Sequence, residues 1–112
     1  MPIVYVTIDF GTVSAGDSES DTWKAERDYT LHKIIAVEKS GTSLYNVVLT
    51  FRDTREQYTK AYIPLSYLQG YDNQVPEWNL PVPEGETLTF SVENKSTSDV
   101  NLYLVLKLEY TE

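Results

Sequence analysis

The sequence predicts one all-β domain, an antiparallel β-sandwich, and three observations carry that prediction. Apolar and polar residues alternate with a period of two in several segments. Tyrosines and β-branched residues crowd into those same segments, and no helical period lasts the ~10 residues that a helix needs. The chain has 112 residues, among them 9 Tyr, 2 Trp and 3 Phe. That length suits a single domain over residues 1–112, and such a domain buries roughly two thirds of its unfolded surface without metal or disulfide staples.

The first strand runs from Ile3 to Phe10, where Val4, Val6, Ile8 and Phe10 alternate with Tyr5, Thr7 and Asp9. From Gly11 to Thr22 the chain is rich in serine and carboxylates and reads as a long exposed loop. From Asp28 to Glu38 the residues Tyr29, Leu31, Ile34, Ile35 and Val37 make a core strand. The turn cluster Lys39-Ser40-Gly41-Thr42-Ser43 then joins it, as a hairpin, to the alternation Tyr45, Val47, Leu49, Phe51.

Gln57 to Ile63 is a shorter strand ended by Pro64, because proline cannot donate to a sheet ladder, and Pro64 to Leu68 allows one helical turn. Gly70 to Gly85 carries Pro76, Pro81 and Pro83 around Trp78, which makes it a structured connection crossing from one sheet to the other. Two strong strands follow, one with Leu88, Phe90 and Val92 inward and one with Leu102, Leu104, Leu106 and Leu108 inward. Residues 94–99 form the loop between them. Six or more strands without crossover helices admit jelly-roll or immunoglobulin-like wiring, and the long connections favour the jelly roll.

Nine Lys and Arg against 17 Asp and Glu give a net charge of -8, with the basic residues scattered, so nucleic acid is not an expected partner. The absence of cysteine excludes disulfides and thiolate metal sites. No apolar run approaches the ~18 residues of a membrane span and the N-terminus lacks a basic leader region, so neither membrane insertion nor a signal peptide is expected.

Catalytic chemistry has little to stand on. The single histidine, His32, lies in a strand with no nucleophile motif beside it, and reads as a residue facing solvent or a neighbouring side chain. A carboxylate pair would have to come from residues such as Asp9, Glu38, Glu77 or Glu86. A non-enzymatic protein without cofactor is therefore expected.

Asp17, Glu19 and Asp21, with Asp28 eleven residues beyond Asp17, have the spacing of an oxygen-rich calcium loop. The sixth position is Thr22 where such a loop needs glycine, so a solvated loop is the preferred reading. Tyr71, Asn73 and Trp78 could together form an aromatic and amide platform for a sugar, completed by Trp23 or Tyr67. The competing reading makes Trp78 a plug at the open end of the sandwich. Asn94-Lys95-Ser96 matches the glycosylation sequon by coincidence.

The segment Pro83-Glu84-Gly85-Glu86-Thr87-Leu88-Thr89-Phe90-Ser91-Val92-Glu93-Asn94, followed by Asp99-Val100-Asn101-Leu102-Tyr103-Leu104-Val105-Leu106, resembles the end of small jelly-roll virion proteins. In those, such a strand, an Asn/Ser-rich loop and a final aliphatic strand close the sandwich. The likeness is one of pattern over about thirty residues, and similar strand pairs occur in carbohydrate-binding modules.

It implies a structural or assembly protein, such as a capsid, turret or spike component, acting in a virion or in host cytoplasm and contacting copies of itself or other structural subunits. Tyr5, Val48, Tyr103 and Val105, at strand positions expected to face outward, are the candidate interface anchors. A sugar-binding module is the alternative, with a glycan as partner.

Overall fold

The computed structural model describes residues 2–55, 57, 62–70 and 75–110. Eight strands appear: β1 (Ile3–Val13), β2 (Ser18–Lys24), β3 (Tyr29–Glu38), β4 (Val47–Arg52), β5 (Ile63–Pro64), β6 (Leu80–Val82), β7 (Thr87–Asn94) and β8 (Val100–Tyr110), with one 3-10 turn at Leu65–Leu68. They form two four-stranded antiparallel sheets, ordered β1-β8-β3-β6 and β2-β7-β4-β5, packed face to face as a sandwich. The first strand pairs with the last, the second with the seventh, the third with the sixth and the fourth with the fifth.

The alternation read from the sequence decides which side chains go inside. On β8 the residues Leu102, Leu104, Leu106 and Leu108 are fully buried, and Leu88, Phe90 and Val92 of β7 face them from the other sheet. Phe51 stacks flat on Phe90 with ring centroids 4.8 Å apart, and Trp78 meets Phe51 edge-on at 5.4 Å. Burying each of these rings contributes about 2 to 3 kcal/mol from lost water contact alone.

Three expectations need correction. The segment 11–22 is not one long loop: β1 continues through a bulge at Asp9/Gly11 to Val13, and β2 begins at Ser18. The bulge turns on Gly11, which has φ +64 and whose amide donates to Asp9 Oδ1. Glu19 and Asp21 share a sheet face with the buried Val92 and Phe90, yet both remain exposed, because β2 lies at the edge of its sheet, where the core does not cover them.

The second correction concerns the hairpin, since β3 and β4 lie in different sheets. Side chains satisfy the Ser40, Thr42 and Leu44 amides and the Thr42 carbonyl, so the chain can change sheet there. The Glu38 carboxylate accepts from the Ser40 and Thr42 amides and from Asn101 N across the sheet (2.9 Å), while Gln69 accepts from Leu44 N and donates to Thr42 O.

The third concerns Pro64, which pairs with Val48 as part of the edge strand β5. Of the strand expected from Gln57 to Ile63, residues 58–61 lie outside the described residues, and Gln57 bridges to Arg52. The proline-rich segment does cross between sheets, and it supplies the short edge strand β6 on the way.

Glu38 is buried, and its backbone donors, the Asn101 amide first, hold its carboxyl below the usual carboxylate range. A depressed value means that the stabilisation is present above the ordinary carboxylate pKa and is lost as pH falls through the folded one. Glu38→Ala leaves three amides without their acceptor and is expected to cost about 2 to 3 kcal/mol near pH 7, measured by urea unfolding, with the difference shrinking in acid.

Candidate functional site

The registers of β1, β8 and β3 set the outer face of the first sheet in rows. Tyr5, Lys107 and Lys33 lie side by side, then Thr7, Val105 and Ile35, then Asp9, Tyr103 and Val37. Tyr103, Val105, Ile35 and Val37 therefore form one continuous apolar patch, each half-buried, and Tyr5 stands one row away with 59% of its surface exposed. At one border Lys39 pairs with Asp9 (3.2 Å) and lies 5.6 Å from the Tyr103 ring centre. The Gly11 amide, and then Lys39, keep the Asp9 carboxyl below its usual range.

Three of the four expected anchors, Tyr5, Tyr103 and Val105, thus share a face. Val48 does not. It belongs to β4 in the other sheet, between Glu93 and Pro64, and is only 7% exposed. With Tyr62, Ser18, Thr50 and Ser91 it lines a groove of about 140 Å³.

At one end of the β1-β8-β3 face lies a cluster that the sequence concealed. A bulge between Leu31 and Lys33 displaces His32. Its Nε2 meets Glu109 Oε1 on β8 at 2.5 Å, its Nδ1 meets Asn79 Oδ1 at 2.9 Å, and Glu77 Oε1 lies 3.8 Å from Nδ1. The Trp78 amide donates to the His32 carbonyl (2.7 Å), and Asn79 holds a left-handed backbone, φ +49. Residues 77–79 are thereby clasped to β3 and β8. Two acceptors facing both ring nitrogens favour the doubly protonated ring: the hydrogen bond to Glu109 first, and then that to Asn79, raises the His32 pKa.

The other expected site residues are dispersed. Glu38 is occupied by backbone amides, Asp9 by Gly11 and Lys39, Glu86 by Thr54 and Thr87, and Glu77 faces His32, so these four carboxylates have separate partners. Asp17 sits in the turn before β2, and Glu19 and Asp21 project from that extended strand. Among the described residues no group of three or more His, Cys, Asp or Glu side chains is placed to hold a metal ion.

Tyr71 and Asn73 lie outside the described residues. Trp78 rests on Phe51 with its indole N–H buried, Trp23 packs against Tyr29 at 5.5 Å, and Tyr67 is exposed on the 3-10 turn. The sequon residue Asn94 is fully buried and donates to the Val13 and Ser98 carbonyls, so in the folded chain its side chain is inaccessible to a glycosylating enzyme.

For the clasp the sign of the pH dependence follows from the raised pKa. Its stabilisation is complete below the ordinary histidine value of about 6.5 and is lost as pH rises through the folded value. Urea midpoints are expected to fall between about pH 6 and pH 9, and His32→Ala is expected to flatten that slope while costing about 1 kcal/mol at the lower pH, a figure kept small by partial exposure. Comparison of the chain with protein-family models, with curated proteins and with solved structures finds no match.

Proposed function

We propose that the chain is a non-enzymatic structural or assembly subunit, wired as a jelly roll, that contacts further copies of itself as a capsid, turret or spike component of a virion does. The observation that carries this reading is the continuous apolar patch of Tyr103, Val105, Ile35 and Val37, each half-buried, beside the exposed Tyr5. A flat sheet face bearing aromatic and β-branched side chains suits a protein contact.

Charge supports the same reading. Copies carrying a net charge of -8 repel each other, and attraction requires a region of their surface free of carboxylates. The rows Tyr5-Lys107-Lys33 and Thr7-Val105-Ile35 contain none. Eight strands with nested pairings, in the orders β1-β8-β3-β6 and β2-β7-β4-β5, support the jelly-roll wiring. The sugar-binding alternative draws less support, because the Trp78 ring that it requires as a platform packs against Phe51.

Size exclusion with light scattering, over a wide range of protein concentration and at two salt levels, tests the proposal. A discrete multiple of the monomer mass is expected. Val105→Lys, at the centre of the patch, should weaken the association at least ten-fold with the circular dichroism unchanged. A monomer at every concentration sinks the assembly reading.

A further inference from the structure

We infer that two copies of the chain associate by pairing their β1 strands antiparallel about a two-fold axis at Tyr5, joining their β1-β8-β3-β6 sheets into one eight-stranded sheet. The inference rests on the assembly reading and adds to the patch a second contact, through the sheet edge beside it. It begins with the backbone. The Tyr110 amide donates to the Pro2 carbonyl across β8 and β1, and Pro2 is opposite Tyr110 in the register that pairs Ile3 with Glu109.

Hydrogen-bonded and non-bonded pairs alternate along an antiparallel ladder, so Val4, Val6 and Ile8 bond to β8. Ile3, Tyr5 and Thr7 then turn their N–H and C=O groups toward the edge of the sheet, where β1 has no neighbouring strand among the described residues.

The side chains along that edge are self-complementary. Ile3-Val4-Tyr5-Val6-Thr7 reads almost the same in both directions: valine on each side of the tyrosine and a β-branched residue beyond each valine. A two-fold axis at Tyr5 sets the two tyrosines side by side and Ile3 of each copy against Thr7 of the other on the outer face. On the inner face it sets Val4 against Val6. Every edge-facing backbone group of Ile3, Tyr5 and Thr7 then meets its complement. Sliding the register by two residues toward the C-terminus would instead bring Asp9 against Ile3 of the other copy.

Burial points to the same strand. Val4 and Val6 face inward and pack against the core but are only partly buried, while Ile3 and Tyr5 on the opposite side are 41% and 59% exposed; on β8 the inward leucines are fully buried. Both faces of β1 thus keep apolar surface that a further strand would cover.

The remaining strand edges are protected. Proline interrupts the short β5 and β6 at Pro64 and Pro81, and β2 carries Glu19, Asp21 and Lys24. From Pro2 to Ile8 the chain has no charged side chain, in a protein of net charge -8. A second copy is the partner that this near-palindrome fits.

Two variants and one exchange measurement test the pairing. Thr7→Pro removes an edge-facing N–H that β8 does not use. Tyr5→Lys sets two ammonium groups beside the axis while leaving the backbone as it is, and so remains informative should the proline disturb the fold. Each variant is expected to move the concentration of half-association, read by light scattering, upward by roughly thirty-fold or more with unchanged circular dichroism.

In the associated wild-type protein the Tyr5 and Thr7 amides should exchange slowly with deuterium, and in the Tyr5→Lys monomer quickly. A wild-type oligomer whose mass survives both substitutions, with the Tyr5 and Thr7 amides still exchanging fast, overturns the β1 pairing and leaves assembly through the patch standing. A wild-type chain that stays monomeric overturns both.

Discussion

The structure depends on one long-range pairing, that of the first strand with the last. Among the described residues β8 is the strand of its sheet bonded on both sides over most of its length, to β1 and to β3, and its four leucines form the floor of the core. If β1 and β3 do not find β8, the sheet has no middle. Nearly the whole chain must close on itself before β1 and β8 meet, and closure entropy grows only slowly with loop length, so the cost falls on folding rate more than on stability. The nested order, 1 with 8, 2 with 7, 3 with 6 and 4 with 5, eases this closure. Once β4 and β5 are adjacent, each further pair is brought closer by the one before it.

Burial was the legible part of the fold. The inward sets on β7 and β8, and most of that on β3, follow directly from a period of two, because a one-residue error would put the leucines of β8 in water. Wiring was not legible. A glycine-containing turn after a strand is the usual hairpin signal, and residues 39–43 carry it. The Glu38 carboxylate, two and four residues away, and the Gln69 amide, brought in from the 3-10 turn, nevertheless satisfy the Ser40, Thr42 and Leu44 amides, so the chain can leave its sheet without stranding these donors. Only side chains brought together by the fold reveal that. The acidic strand β2 was hidden for a different reason: at an edge, exposed carboxylates guard against further pairing, so composition reads as loop where the backbone is strand.

The candidate site divides in the same way. Tyr5, Tyr103 and Val105 could be read as outward residues of amphipathic strands, and the register placed them on one face. Val48 obeyed the same periodicity but is only 7% exposed, because a period of two distinguishes the faces of a sheet and says nothing about what surrounds a residue on the outer one. The His32 clasp was beyond reach altogether. Its members come from positions 32, 77, 79 and 109, and the bulge that swings the imidazole toward Glu109 has no glycine or proline to announce it.

The two ends of the sheets are unequal, and that inequality links fold to function. At one end the clasp ties residues 77–79 down, Trp78 rests on the core, and the edge strands β5 and β6 are short and contain proline. At the other end β1 and β2 are long, and the side chains beneath β1 are only partly covered. Sealing a sandwich symmetrically would have made a more self-sufficient monomer. A chain with this charge and this size could have used its carboxylates to guard β1 as it guards β2. On β1 its one carboxylate, Asp9, follows the uncharged residues 2–8, and that stretch adjoins the sheet face whose central rows hold no acid. An open backbone edge and an apolar sheet face adjoin on one side of the molecule, and the acids of that face, Asp9 and Glu109, lie in the rows that flank its two carboxylate-free rows.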